Sequence, residues 1–163
     1  MSAQTTPTPE LHGALAPSLR PLATPAGAIC MLALDHRDAL RNAFRRAGVV
    51  GVDDATMLAV KERIADALAD SVSSILLDAQ AVERCRRPGL GLLMPLETQG
   101  HDPLEGGRLN RRMHDFGPAE AAALGAHGCK LLLYYRADHA ASAERQLALV
   151  AQAAHECHRQ GLA

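Results

Sequence analysis

An α/β fold built on a parallel sheet is predicted by three observations on this chain of 163 residues. Strand-sized apolar runs alternate with helix-patterned segments. Each run is continuously apolar, which suits a strand covered on both faces. Three of the four runs stop at a carboxylate: Asp35, Asp78 and Glu97. The order β-α-β-α-β-α-β-α implies parallel strands joined by crossovers. Four such units fit a small doubly wound sheet or half of a (β/α)8 barrel. A complete barrel is excluded, because it needs about 250 residues and rarely fewer than about 200.

The elements follow in order. Residues 1–27 carry Pro7, Pro9, Pro17, Pro21 and Pro25 and read as a flexible leader. The first strand is Ala28 to Leu34. Asp38 is placed to cap a short helix through Arg46, and Gly48 and Gly51 break the chain. Asp53-Asp54 opens a helix with Met57, Val60, Ile64, Ala67 and Leu68 at helical spacing. Ser73 to Asp78 is the second strand, and a short helix follows to Arg86. Leu90 to Leu96 is the third strand, with Pro95 weakening its end. Thr98 to Gly107 reads as a polar loop. Pro118 suits the first turn of a helix reaching Leu124. Cys129 to Tyr135 is the fourth strand, and Ser142 to Gln160 an amphipathic helix ended by Gly161.

Composition narrows the function classes. With 48% hydrophobic and 21% charged residues the chain can bury a core and is not disordered. Its net charge of −1 gives no positive field for nucleic acid, and 2% aromatics without Trp leaves little to stack on bases. No apolar run approaches the roughly 20 residues needed to cross a bilayer. Cys30, Cys85, Cys129 and Cys157 lack C-x-x-C spacing and read as buried free thiols of a reducing, cytoplasmic setting.

In parallel α/β folds active groups gather at the carboxyl ends of strands. Those ends carry Asp35-His36-Arg37, Asp78, Glu97 and Tyr134-Tyr135-Arg136. Converging carboxylates can do acid/base work, and an Asp after a strand can equally cap the next helix. Only two of the 17 basic residues are lysines. Lys61, with Glu62 and Asp66 nearby, reads as part of a solvated helix face. Lys130 stands inside an apolar run, where alternation places it with Leu132 and Tyr134. Burial there would lower its pKa and make the amine a nucleophile, base or phosphate contact. The eight histidines form no metal-binding spacing, so no metal or cofactor is implied.

These strand ends resemble the tagatose-1,6-bisphosphate aldolase family, a class I Schiff-base group that includes sulfofructose-phosphate aldolases. Leu32-Ala-Leu-Asp-His-Arg-Asp-Ala-Leu40 is similar to its first-strand motif, with His36 where that family usually has Gln. Ser73 to Asp78, Leu93 to Asp102 and Lys130-Leu-Leu-Leu-Tyr-Tyr135 resemble its second, third and fourth strands. The resemblance covers residues 28–163. It implies the N-terminal half of a (β/α)8 barrel that cleaves a ketose phosphate to dihydroxyacetone phosphate and an aldehyde. Asp35 and Lys130 would then be the catalytic candidates, Asp35 orienting substrate and assisting proton transfer, Lys130 contacting substrate hydroxyls. His36, Arg37, Asp78 and Glu97 would be substrate contacts. The family's acid/base Glu and imine Lys belong to the fifth and sixth strands, past Ala163. A half inactive alone is therefore expected, paired with a second copy or a complementing half-barrel. The alternative is a non-catalytic α/β half-barrel that binds small anions or a partner chain.

Overall fold

Four short strands hydrogen-bond in parallel through residues that the sequence makes apolar. They are β1 (Met31–Ala33), β2 (Ser74–Leu76), β3 (Gly91–Pro95) and β6 (Gly128–Lys130). The structure is a computed structural model and describes residues 15–163. The sheet order β1-β2-β3-β6 never reverses, whereas a doubly wound sheet has a reversal at its switch point. Helices α1 (Asp38–Arg46) and α2 (Asp54–Leu68) link β1 to β2, and α3 (Val82–Cys85) links β2 to β3. α4 (Pro118–Ala123) precedes β6, and α5 (Ala140–Arg159) follows it.

Side-chain alternation divides the two faces of the sheet. Ile75, Leu77, Leu92, Met94 and Leu96 belong to the main core with Ala65, Cys85, Ala121, Ala153 and Cys157 from the helical segments. Leu76 and Leu93 point the other way and pack on Leu22. β2 and β3 are buried along their whole length, as central strands should be. β1 is not: among the described residues it pairs only with β2, and Met31 and Ala33 are exposed.

Several expectations change. Of the expected leader, residues 1–14 lie outside the described residues, but Pro17–Leu22 is a 3-10 helix rather than flexible chain. Its Leu22 is buried, and Ser73 Oγ donates to the Leu22 carbonyl at 2.7 Å. Gly91 is required under it, because a Cβ there would collide with the Pro21 carbonyl. The polar loop expected over Thr98 to Gly107 is instead part of an antiparallel ribbon, β4 (Glu97–Leu104) with β5 (Gly107–Arg112). Its Pro and Gly residues looked like breakers, yet Gly106 (φ +75°) makes the turn and Gly100 (φ +88°) lies in an irregularity between Glu97 and His101. The fourth parallel strand stops at Lys130 rather than Tyr135. The Leu132 amide goes to the Glu97 carboxylate (3.3 Å) instead of to a neighbouring strand. Cys30, expected inside, is exposed beside the edge strand, while Cys85 and Cys157 are buried. Asp38 is the first residue of α1 and makes no side-chain cap.

The largest correction concerns Lys61. It is 4% exposed, and its Nζ lies 2.5 Å from Asp78 Oδ2. Asp78 Oδ1 also accepts from the Ala81 amide at 3.1 Å, so one carboxylate caps the turn after β2 and ties α2 to the sheet. Met57, Lys61 and Ala65 recur every four residues on the buried face of α2. Replacing Lys61 by Met is expected to lower stability by about 3–5 kcal/mol, because it strands a buried carboxylate. Urea unfolding followed by circular dichroism checks this. Adding Asp78→Asn, which keeps the capping oxygen and removes the charge, should recover much of the loss.

Candidate active site

Parallel winding brings the carboxyl ends of all four sheet strands to one edge. Asp35 follows β1, Glu97 opens the ribbon after β3, and Lys130 ends β6. The Lys130 Nζ lies 3.3 Å from Asp35 Oδ2 and donates to Glu97 Oε1. These three side chains border an open cavity of about 410 Å³, together with His36, Arg37, Gln99, Leu132 and Tyr134. Glu97 is held on three sides: Oε1 on Lys130, Oε2 on the Leu132 amide, and its carbonyl on Arg37 at 3.3 Å. His36 Nδ1 is 3.9 Å from Asp35 Oδ1, and the imidazole is largely exposed.

The charge state of Lys130 reverses the sequence expectation. Burial, the largest single influence, pulls its pKa down. The hydrogen bond and charge of Glu97, followed by Asp35, outweigh burial and hold the amine above the ordinary 10.5. At neutral pH Lys130 is therefore an ammonium, bonded to the side chains of Asp35 and Glu97. Such a group donates hydrogen bonds to hydroxyl oxygens but does not attack a carbonyl. The adjacent Cys129 thiol is likewise no nucleophile, since burial, with Cys157 beside it, pushes it up to about 12.

Five of the six expected residues meet here: Asp35, His36, Arg37, Glu97 and Lys130. Asp78 does not. Its pairing with Lys61 places it in a neighbouring cavity of about 360 Å³, which Arg37 and Gln99 separate from the first. Lys61 itself was misplaced by its charged neighbours, although its four-residue spacing to Met57 and Ala65 was a usable signal. The ribbon residues Thr98, Gln99 and Gly100, which also line the Lys130 cavity, carried no signal beyond a polar loop. Among the described residues no three His, Cys, Asp or Glu side chains are grouped as metal ligands would be.

Comparison with known proteins places the chain in a family. The sequence model of the DeoC/LacD family aldolases matches residues 29–163. The chain is similar to tagatose 1,6-diphosphate aldolase 2 of Enterococcus faecalis, with 33% identity over 120 residues, covering 72% of this chain and 36% of that protein. It is similar to the tagatose 1,6-diphosphate aldolase of Staphylococcus aureus (strain JH9), with 31% identity over 126 residues, covering 76% of this chain and 39% of that protein. The matched segments thus span well under half the length of these relatives.

A folded pKa raised above the unfolded one means that the stabilisation from Lys130 is complete below about pH 10.5 and is lost as pH rises through the higher folded value. An NMR titration of the Lys130 side chain is expected to find the amine still mostly charged at pH 10.5. In Glu97→Gln the midpoint falls, because one of the two charges that raise it is gone. A wild-type midpoint below the ordinary value would contradict the cluster.

Proposed function

Because this chain belongs to the DeoC/LacD family of aldolases, we propose that residues 29–163 are the first four β/α units of a (β/α)8 class I aldolase. The complete enzyme would cleave a ketose bisphosphate to dihydroxyacetone phosphate and an aldehyde. The observation that carries this reading is the Lys130 ammonium between Asp35 and Glu97, set at the carboxyl ends of parallel strands. In a retro-aldol step the hydroxyl on the future aldehyde carbon loses its proton while the bond electrons flow into an imine. Asp35 and Lys130 are suited to hold substrate hydroxyls for that step and to manage their protons. Arg37 is suited to an anionic group of the substrate.

The imine itself is assigned to a lysine outside this segment. Both lysines of the chain are tied as ion pairs, Lys61 to Asp78 and Lys130 to Asp35 and Glu97. The unreversed strand order supports the barrel. So does Ala163, whose amide donates to the His127 carbonyl and whose carbonyl accepts from the Cys129 amide, the bonding pattern of a parallel neighbour of β6. At the other edge, Ile29 ahead of β1 and Met31 within it are exposed, and β1 has no second neighbour among the described residues. That edge favours a complementing half-barrel or a second copy as partner. Free thiols at all four cysteines suit a reducing, cytoplasmic setting.

Borohydride reduction of the chain in the presence of dihydroxyacetone phosphate tests the assignment. Intact mass is expected to stay unchanged while a full-length relative, treated alongside, gains the reduced adduct. An adduct mapped to Lys130 or Lys61 would overturn the division of labour proposed here.

A further inference from the structure

At the amino ends of the strands, the edge of the sheet opposite Lys130, one imidazole stands in for a backbone carbonyl. The Leu92 amide does not find a carbonyl on β6. It points at His127, and Nδ1 of the ring accepts it at 3.0 Å. The His127 amide donates in return to the Leu92 carbonyl at 2.7 Å. Side chain and backbone of one residue thus close the start of the β3–β6 seam. Leu92 is fully buried, and a buried donor left without an acceptor is costly.

Only a ring nitrogen with a free lone pair can accept a hydrogen bond. The neutral tautomer with its proton on Nε2 offers one at Nδ1, whereas the imidazolium donates at both nitrogens. Protonation would set N–H against N–H at Leu92. The surroundings oppose it as well. Burial is the main cause that holds the pKa of His127 below the ordinary 6.5, and the charge of Arg86 adds to it. Arg86 follows α3, donates to the Leu124 carbonyl at 3.2 Å and lies against Gly125. The side chains of β3, of the turn Leu124 to Ala126, and of Leu162 and Ala163 bring no charge to the ring.

His127 also carries the segment beside β6. Its carbonyl accepts from the Ala163 amide at 3.0 Å, and the Cys129 amide donates to the Ala163 carbonyl at 2.9 Å. β6 has only three residues and ends at Lys130. Its first end therefore weighs heavily on the register of that lysine.

We propose that His127 is a pH-sensitive latch at the amino end of β6. As a neutral ring it closes the β3–β6 seam. As an imidazolium it opens that end and loosens the Ala163 segment held beside it. The latch operates whatever the Lys130 cavity binds. A folded pKa below the unfolded one means that this stabilisation is complete above about pH 6.5 and is lost as pH falls through the lower folded value.

Hydrogen exchange of the Leu92 amide, read by NMR on the full chain at pH 7.5 and pH 5.5 and corrected for the intrinsic rate, tests the latch. In wild type, protection should fall about tenfold between the two, as expected when a buried amide loses its acceptor. His127→Asn sets a carboxamide oxygen, which does not titrate, at the same reach from the backbone. It should hold protection within about twofold over that range. The other seven of the eight histidines are common to both chains, so their titration affects both alike. Equal loss of protection in wild type and a folded His127→Asn variant would overturn the latch. Nitrogen NMR shifts of the wild-type ring give a check that needs no variant. A proton on Nε2 at pH 7.5 and a midpoint below 6.5 are expected. A proton on Nδ1 at pH 7.5, or a midpoint at or above 6.5, would equally sink it.

Discussion

The ammonium of Lys130 between the carboxylates of Asp35 and Glu97 is the contact on which the candidate site depends. It joins groups 95 and 33 residues apart in sequence, and only the register of a parallel sheet brings them together. Met31 lies opposite Ser74, Ser74 opposite Gly91, and Leu93 opposite Gly128, so β3 and β6 end level at Pro95 and Lys130, while β1 ends at Ala33, level with Leu93 and two residues before Asp35. A slip of one residue would turn Lys130 to the other face of the sheet. Two acids near one base also set the chemistry. They hold the amine protonated, which suits donation to hydroxyl groups and opposes covalent attack on a carbonyl.

A second buried pair, Lys61 with Asp78, has a different task. Neither group borders the Lys130 cavity. Both are nearly inaccessible, and Asp78 also caps the turn that begins at the end of β2. The two pairs show how similar residue types serve structure in one place and chemistry in another. The difference lies in access: Lys130 keeps 32% of its side chain exposed, Lys61 only 5%. A charge that a ligand can reach must be left partly in solvent, whereas a charge that clamps a helix is sealed off and fully paired.

The ribbon after β3 adds a third layer of control. It interrupts the strict alternation of strand and helix, and its irregularity at Thr98 to Gly100 turns three residues into the cavity wall. Beyond it, His101 and Arg108 grip Tyr134, while Gln146 and Arg136 hold the ribbon backbone. Part of this seam is left open. Asn110 and Ser142 are buried between the ribbon and α5 without partners for their side-chain polar atoms. Such atoms weaken an interface.

By itself the sequence determined the parallel α/β class, the order of the main strands, and the gathering of Asp35, His36, Arg37, Glu97 and Lys130 at one edge. These were legible because apolar runs, their length and the acids that end them are local features. The tertiary structure decided what depends on neighbours distant in the chain. It made β1 an edge strand and left Cys30 exposed. It ended the fourth strand at Lys130, because the next amide found a carboxylate. It buried Lys61 against Asp78, although its sequence neighbours are charged. It also folded a Gly- and Pro-containing stretch into a ribbon. The sign of the Lys130 shift belongs to this second group. Burial, which an apolar run can suggest, lowers the pKa of a lysine, while carboxylates brought from two other strands raise it, and only the folded register shows that they prevail.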